Sequence, residues 1–217
     1  MPDLQERFSS QSLELLALIL PVLIISMALH ELAHAWVANR LGDPTAKMMG
    51  RLTLNPLVHI DPMGSAMFAI SWIASGFMFG WAKPIPVQPR FFNHPQRGMA
   101  IVAIAGPVTN IAIAYVTALT FIWVFSYPSG LLGEFLGLAF STNVLLAVFN
   151  MLPIPPLDGS RVLAAFMPRE MAAAWGRLDR HGFMILFALL IFFRPLFGII
   201  DAIRIPIQDL LITLAGG

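Results

Sequence analysis

The 217-residue sequence contains no cysteine, and only 12% of its residues are charged. The absence of cysteine excludes a disulfide framework and any thiolate metal ligand. Lysine and arginine form no basic run of the kind that contacts nucleic-acid phosphates, and the formal net charge is only +1. A soluble domain averages about 25% charged residues. The chain is therefore expected to bind no nucleic acid and not to be an ordinary soluble domain.

Hydrophobic residues make up 58% of the chain, and the mean hydropathy is +0.77. A membrane span needs about 20 largely apolar residues. Four stretches meet or approach that length: 13–38, 98–127, 131–152 and 182–200. The sequence therefore predicts an all-α polytopic membrane protein, a bundle of about five to six transmembrane helices.

Residues 65–81 are apolar but are interrupted by Gly76 and Gly80. Their flanks, 39–62 and 82–97, carry six basic residues and only two acidic ones. Because basic loops stay in the cytoplasm, both flanks prefer the same side of the membrane. This pattern favours a re-entrant segment or embedded hairpin over a full crossing.

Two stretches in the same region, "AKMMGRLTLNP" and "AKPIPVQPRF", have strand or extended character. Proline cannot donate to a β-ladder, so the second is typical of an edge strand or an extended segment. We therefore expect a small embedded β-strand or re-entrant region after the first helix.

The first apolar stretch ends in "SMALHELAHAWVANR", which contains His30, Glu31 and His34. Residues four apart on a helix lie on one face, with Cβ atoms about 5–6 Å apart. That spacing lets two imidazoles bind one Zn²⁺, with the adjacent glutamate free to act as a general base. The alternative, that the three side chains only pair with one another, is the weaker reading, because ionisable residues inside a span are rare and usually functional.

A catalytic zinc usually has a third protein ligand and an open position for water. Asp158 is the best candidate, because the prolines before it in "FNMLPIPPLDGSR" stop the helix and Gly159 allows a tight turn. His59 remains an alternative ligand. His94 and His181 are expected to be loop histidines.

With "HELAH", "GPVTN" and "NMLPIPPLDG" in this order on three hydrophobic segments, the chain resembles the site-2 protease family of intramembrane zinc metalloproteases. The resemblance covers about residues 13–161. The stretch "FGWAKPIPVQPRFF" resembles the compact bacterial branch, without a PDZ or CBS domain.

The resemblance implies one Zn²⁺ per chain, held by His30, His34 and Asp158, with Glu31 as the catalytic base. The asparagine of the last motif, Asn150, is implied to hold the extended substrate near the metal.

In "GPVTN", the residues Gly106, Pro107 and Asn110 are implied to be a core packing element.

The expected organisation is a single integral-membrane metalloprotease domain over residues 1–217. Its catalytic core lies at about 13–161 and its C-terminal helices at about 165–217.

The expected function is hydrolysis of peptide bonds in or near transmembrane segments of membrane-protein substrates. The expected partners are those substrates, the lipid bilayer and a regulatory membrane protein that controls access. The charge pattern places the chain in the cell (cytoplasmic or inner) membrane as a multi-pass protein, with its active site toward the cytoplasm. The alternatives are a metal-ion transporter and a non-cleaving protein that binds membrane clients.

Overall fold

The computed structural model describes residues 10–75 and 79–217, and its regular structure is helical. The α-helices of this part of the chain are α1 (Ser10–Arg40), α2 (Thr45–Met48), α3 (Pro62–Ser75), α4 (Pro95–Leu119), α5 (Gly130–Asn150), α6 (Asp158–Ala164), α7 (Arg169–Gly176), α8 (Gly182–Phe192) and α9 (Pro195–Leu214). Short 3₁₀ turns lie at Pro56–His59, Pro89–Phe91 and Arg177–His181, and a π-helical turn at Thr120–Val124 extends α4.

Three helical segments are long and apolar enough to cross a bilayer: Leu13–Arg40, Pro95–Val124 and Gly130–Asn150. A further pair, Arg169–Phe192 and Pro195–Leu214, is bent by 93° and makes a fourth span only if the two are taken together. The predicted number of about five to six spans is not confirmed. The physical reason is that α8 has only 11 residues, about 16 Å at 1.5 Å per residue, against a hydrocarbon core of about 30 Å.

The three spans pack against one another through small side chains. Ala38 of α1 is buried in one cluster with Val102 of α4, and Ala114 of α4 is buried in another with Val144 of α5. Lipid tails are as apolar as the side chains, so helices in a membrane associate through close packing and interhelical hydrogen bonds. The small residues allow that close approach.

The start of α3 lies against the chain at residues 80–82; residues 76–78, which belong to the expected re-entrant segment, lie outside the described part of the chain. A Cβ atom added at Gly64 would lie only 2.1 Å from the backbone oxygen of Trp81. An isolated antiparallel bridge joins Ile60 to Ala82 beside this contact. The two described ends of the stretch 60–82 therefore lie side by side.

The predicted embedded β-strand is not confirmed, since residues 10–75 and 79–217 contain no strand. The stretch 46–56 begins in α2 and continues as turns. The stretch 82–88 is extended, with a bridge only at Ala82, and then enters the 3₁₀ turn Pro89–Phe91. Pro84 and Pro86 have no N–H to donate to a ladder.

The N–H of Lys83 in this extended stretch donates to the carbonyl of His59, while two further N–H groups bond to side chains. Ile85 N–H donates to Glu31 Oε2 at 3.1 Å, and Gln88 N–H donates to Asp43 Oδ2 at 2.6 Å. A carboxylate within α1 and another just after it therefore accept two of the hydrogen bonds that a partner strand would otherwise make.

Asp43 joins the corner after α1 to this extended stretch. Its side chain is fully buried. Its Oδ1 atom accepts from the N–H of Thr45 at 2.9 Å and from the Thr45 hydroxyl at 2.5 Å, while Oδ2 accepts from Gln88. One carboxylate thus satisfies three donors, two of them backbone N–H groups.

We expect Asp43→Ala to lower the free energy of unfolding by about 1–3 kcal/mol, because it leaves buried donors without acceptors. Thermal unfolding in detergent measures this as a lower midpoint. The control is Thr53→Ala, whose hydroxyl accepts only the exposed Asn55 N–H; its effect should stay within about 0.5 kcal/mol. Equal midpoints for the two variants would contradict this role of Asp43.

Candidate metal centre

His30 and His34 lie on successive turns of α1 and face the same side, as their spacing predicts. Both rings are buried, and their Nε2 atoms are 3.0 Å apart. The rings meet edge to face, with centroids 4.6 Å apart. Helix periodicity alone therefore brings two nitrogen ligands to one point.

Asp158 reaches the same point from the far end of α5. The chain turns after Asn150, and Asp158 begins the next helix, α6. A Cβ atom at Gly159 would lie 2.1 Å from the backbone oxygen of Met151, so only glycine fits this turn. The turn carries Asp158 Oδ2 to 3.2 Å from the Nε2 atoms of both histidines.

The hydrogen bonds of the two rings show that these residues fit a metal ion. His34 Nδ1 lies 2.7 Å from the carbonyl oxygen of Val102, which only accepts, so Nδ1 carries the proton. His30 Nδ1 donates to Asn110 Oδ1 at 2.5 Å. Both Nε2 atoms are left with lone pairs directed at each other and at a carboxylate oxygen. A cation removes that repulsion, and two nitrogens with one oxygen are a donor set that zinc takes in catalytic sites.

The Asp158 carboxyl supplies the negative charge of this group. Burial alone would raise the pKa of the Asp158 carboxyl, but a positive charge beside it, a proton on the His34 or His30 ring when no metal is bound, lowers the net pKa below its ordinary value. Its second oxygen, Oδ1, lies 3.9 Å from the guanidinium of Arg161. The carboxylate is therefore ionised at neutral pH, which is the form that binds metal.

Glu31 lies next to the first histidine and is also buried. It does not join the group of potential ligand atoms formed by the two histidines and the aspartate. Its Oε2 accepts from the N–H of Ile85, and Glu31 lines the same cavity of about 130 Å³ as Asn150 and Arg161. The carboxylate is thus fixed beside the donor group.

Asn150, which the sequence predicts as a substrate-binding residue, also lines this cavity. Its Nδ2 atom donates to the carbonyl of Leu146 on its own helix, at 2.9 Å. The amide is therefore held in place at the cavity wall.

The other histidines do not join the group. His59 is buried, and its Nε2 lies 3.1 Å from the carbonyl oxygen of Thr53. His94 and His181 are exposed, beside the N-termini of α4 and α8. The alternative ligand His59 is therefore not brought to the candidate centre.

Sequence reasoning missed two residues that shape the centre. Asn110, which was expected to be a packing element, accepts a hydrogen bond from His30. A Cβ atom at Gly106 would lie 2.5 Å from the Nε2 atoms of both His30 and His34. The signal that could have found Asn110 is a lone asparagine in an otherwise apolar span, since polar residues there are usually functional.

The family model of Peptidase family M50 matches residues 18–133 and 126–193 of this chain. The chain belongs to peptidase family M50. The matched residues include the three elements that bring ligand atoms or their hydrogen-bond partners to the centre: α1, α4 and the turn into α6.

Curated relatives agree with this M50 assignment. The chain is 37% identical to "Putative zinc metalloprotease YwhC" of Bacillus subtilis over 88% of its own length and 87% of the relative. It is 34% identical to a similarly described protein, Rip2 of Mycolicibacterium smegmatis, over 77% of this chain and 64% of that one. MJ0611 of Methanocaldococcus jannaschii, also so described, is 31% identical over 72% of this chain and 75% of its own. No solved structure matches.

The M50 chain is a zinc metalloprotease of the site-2 protease type, and Zn²⁺ is its cofactor. Its long apolar helices make it a membrane protein.

We expect Gly106→Ala to lose most of its bound zinc, because the added methyl group would occupy the space at the two Nε2 atoms. Gly137→Ala is the matched control, since it makes the same change in a membrane-spanning helix where a Cβ atom meets nothing within 4 Å. Metal content of the purified proteins measures the difference. Full zinc content in Gly106→Ala would show that the donor atoms do not meet at this glycine.

Proposed function

We propose that this M50 protease hydrolyses peptide bonds in or near the transmembrane segments of membrane-protein substrates. The observation that carries the proposal is the meeting of His30, Glu31 and His34, on a helix long enough to cross a membrane, with an aspartate from the turn after another such helix. A site built into such helices is within reach of peptide bonds that lie in the bilayer.

In this proposal His30, His34 and Asp158 hold the zinc. When bound, zinc lowers the pKa of a water molecule to about 7 and polarises the scissile carbonyl. The Nδ1–H groups of both histidines are bonded to fixed acceptors, which keeps each Nε2 directed at the same point.

Glu31 acts as the general base. It takes a proton from the attacking water and returns it to the leaving amine nitrogen. The N–H of Ile85 holds the Oε2 atom of Glu31 at 3.1 Å, so one carboxylate oxygen is fixed and the other is free for the proton. Burial of Glu31 keeps this exchange out of bulk water.

A helical substrate has its carbonyls bonded internally, so it must unwind before attack. The extended stretch 82–88 lies at the wall of the cavity and can pair with the unwound chain by strand addition. The N–H groups of Lys83, Ile85 and Gln88 already donate within the protein. The stretch therefore accepts hydrogen bonds from substrate N–H groups through its carbonyls, and Asn150, which lines the same cavity, anchors the substrate backbone.

The active site faces the cytoplasm in the cell membrane. The basic flanks 39–62 and 82–97 support this orientation. Arg40, at the end of α1, stacks over Trp36 at 5.0 Å, and such aromatic rings are enriched where a span meets the headgroups. We also propose that a regulatory membrane partner controls access of substrates to the cavity.

Asp158→Ala should remove zinc from the purified protein, because two neutral imidazoles alone bind it weakly. His59→Ala is the control, since it changes a buried histidine outside the candidate centre and should retain one Zn²⁺ per chain. Metal analysis of both variants and the wild type decides the matter. Stoichiometric zinc in Asp158→Ala would remove Asp158 from the ligand set.

Glu31→Gln should keep its zinc and lose cleavage activity by at least about 100-fold, the lower range for a general base. The assay is cleavage of single-span transmembrane reporters reconstituted with the protease in liposomes. Glu134→Gln, a change of an exposed glutamate on α5, should cut like the wild type. A Glu31→Gln variant that retains wild-type activity would show that another group moves the proton, and a wild type that cuts no reporter would count against the substrate class.

A further inference from the structure

Asn143 is a fully buried amide in the middle of α5, among the apolar residues Val144 and Ala147. A polar side chain at such a position is expensive unless its hydrogen bonds are made. All of its polar atoms have partners, and they lead across the bundle toward the metal centre.

The orientation of the Asn143 amide follows from its neighbours. One of its two terminal atoms lies 2.8 Å from the carbonyl oxygen of Ala139. A carbonyl oxygen can only accept, so this atom must be the nitrogen Nδ2. The second hydrogen of Nδ2 goes to the hydroxyl of Ser26 on α1, at 2.9 Å. Both hydrogens are used, and Oδ1 is the atom that remains for α4.

This orientation determines the next two bonds. Asn143 Oδ1 lies 2.9 Å from the amide of Asn110, which must therefore present its own nitrogen to Asn143. The oxygen of Asn110 is then the atom that faces His30, and His30 Nδ1 must donate to it. The proton of His30 is held on Nδ1, and Nε2 keeps the lone pair that faces His34 and Asp158.

We propose that Asn143 is a positioning residue that holds His30 in its metal-binding tautomer through Asn110. The proposal rests on the proposed role of His30 as a zinc ligand. Asn143 touches neither the ligand atoms nor the cavity, so it acts only through the amide between them.

Without Asn143 the amide of Asn110 is free to rotate. Turned round, it would present its nitrogen to His30 Nδ1, and the ring proton would move to Nε2, where it blocks zinc. Loss of hydrogen-bond partners outside the ligands typically lowers metal affinity by 10–100-fold.

The first experiment compares Asn143→Leu with Val144→Ala. Leucine is close to asparagine in size but forms no hydrogen bonds, and Val144→Ala removes packing from the adjacent buried position without touching the polar chain. Zinc affinity is measured by competition with a chelator. We expect at least about a 10-fold loss for Asn143→Leu and no loss for Val144→Ala. Wild-type affinity in Asn143→Leu would overturn the proposal.

The second experiment restores the tautomer without restoring Asn143. In the double variant N110D/N143L the carboxylate at position 110 can only accept, so His30 must again donate through Nδ1. We expect the double variant to bind zinc more tightly than Asn143→Leu alone. In zinc-free samples labelled with ¹⁵N-histidine, the Nδ1–H tautomer of His30 should dominate in the wild type and the double variant, but not in Asn143→Leu. A packing role alone predicts no such recovery, so failure of the rescue would overturn the proposal.

If Asn143→Leu does not fold, zinc affinity is compared instead between two variants of Asn110, one that keeps an acceptor for His30 and one that removes it. Asn110→Asp should then keep zinc and Asn110→Leu should lose it, and equal affinities would overturn the proposal. His30→Ala separates the two levels of inference. If His30→Ala binds zinc like the wild type, the proposed ligand set is wrong; if it loses zinc but Asn143→Leu does not, only the positioning role is wrong.

Discussion

Two imidazole nitrogens and a carboxylate oxygen meet at 3.0–3.2 Å inside the helix bundle, each with a lone pair directed at the others. Such an arrangement is repulsive unless a cation lies among the three atoms. Neither histidine can donate a proton from Nδ1 to this group, because Nδ1 of His30 bonds to Asn110 and Nδ1 of His34 bonds to Val102. The histidines come from one span and Asp158 from the turn after another, so the bundle must be assembled before all three donors meet. Metal binding and packing of the helices are therefore expected to be coupled.

The lipid environment explains the form of the chain around this centre. Within a bilayer, non-helical backbone is tolerated only where it is buried in protein or lines a water-filled cavity. The extended stretch 82–88 meets this condition: Lys83 N–H donates to the carbonyl of His59, and Ile85 N–H donates to Glu31. Its prolines remove further donors that would need partners. The wall of the cavity can thus be irregular without leaving backbone groups exposed to lipid.

How much could be predicted from the sequence depends on how local each feature is. The pairing of His30 with His34 follows from helix periodicity within five residues, and Asp158 followed from a proline run and a glycine beside it. The number of spans is not confirmed, because the apolar stretch 182–200 contains residues 193–194, where one helix ends and the next begins. The embedded strand was not confirmed because the N–H groups of Ile85 and Gln88 bond to carboxylates that are distant in the chain. The role of Asn110 was missed for the same reason, since a motif on one helix does not show which neighbouring side chains it faces.

The buried polar side chains connect the stability of the bundle to its chemistry. Apolar side chains gain little by leaving lipid for a protein interior, so interhelical hydrogen bonds carry part of the association between spans, at about 0.6–2 kcal/mol each. The chain of bonds from Ser26 through Asn143 and Asn110 to His30 joins α1, α5 and α4. In the proposal above, the same bonds hold the helices together and orient His30, so breaking one of them affects both the packing and the metal centre. A shift of α5 relative to α4 would therefore break the bond between Asn143 and Asn110 and change which ring nitrogen of His30 carries the proton.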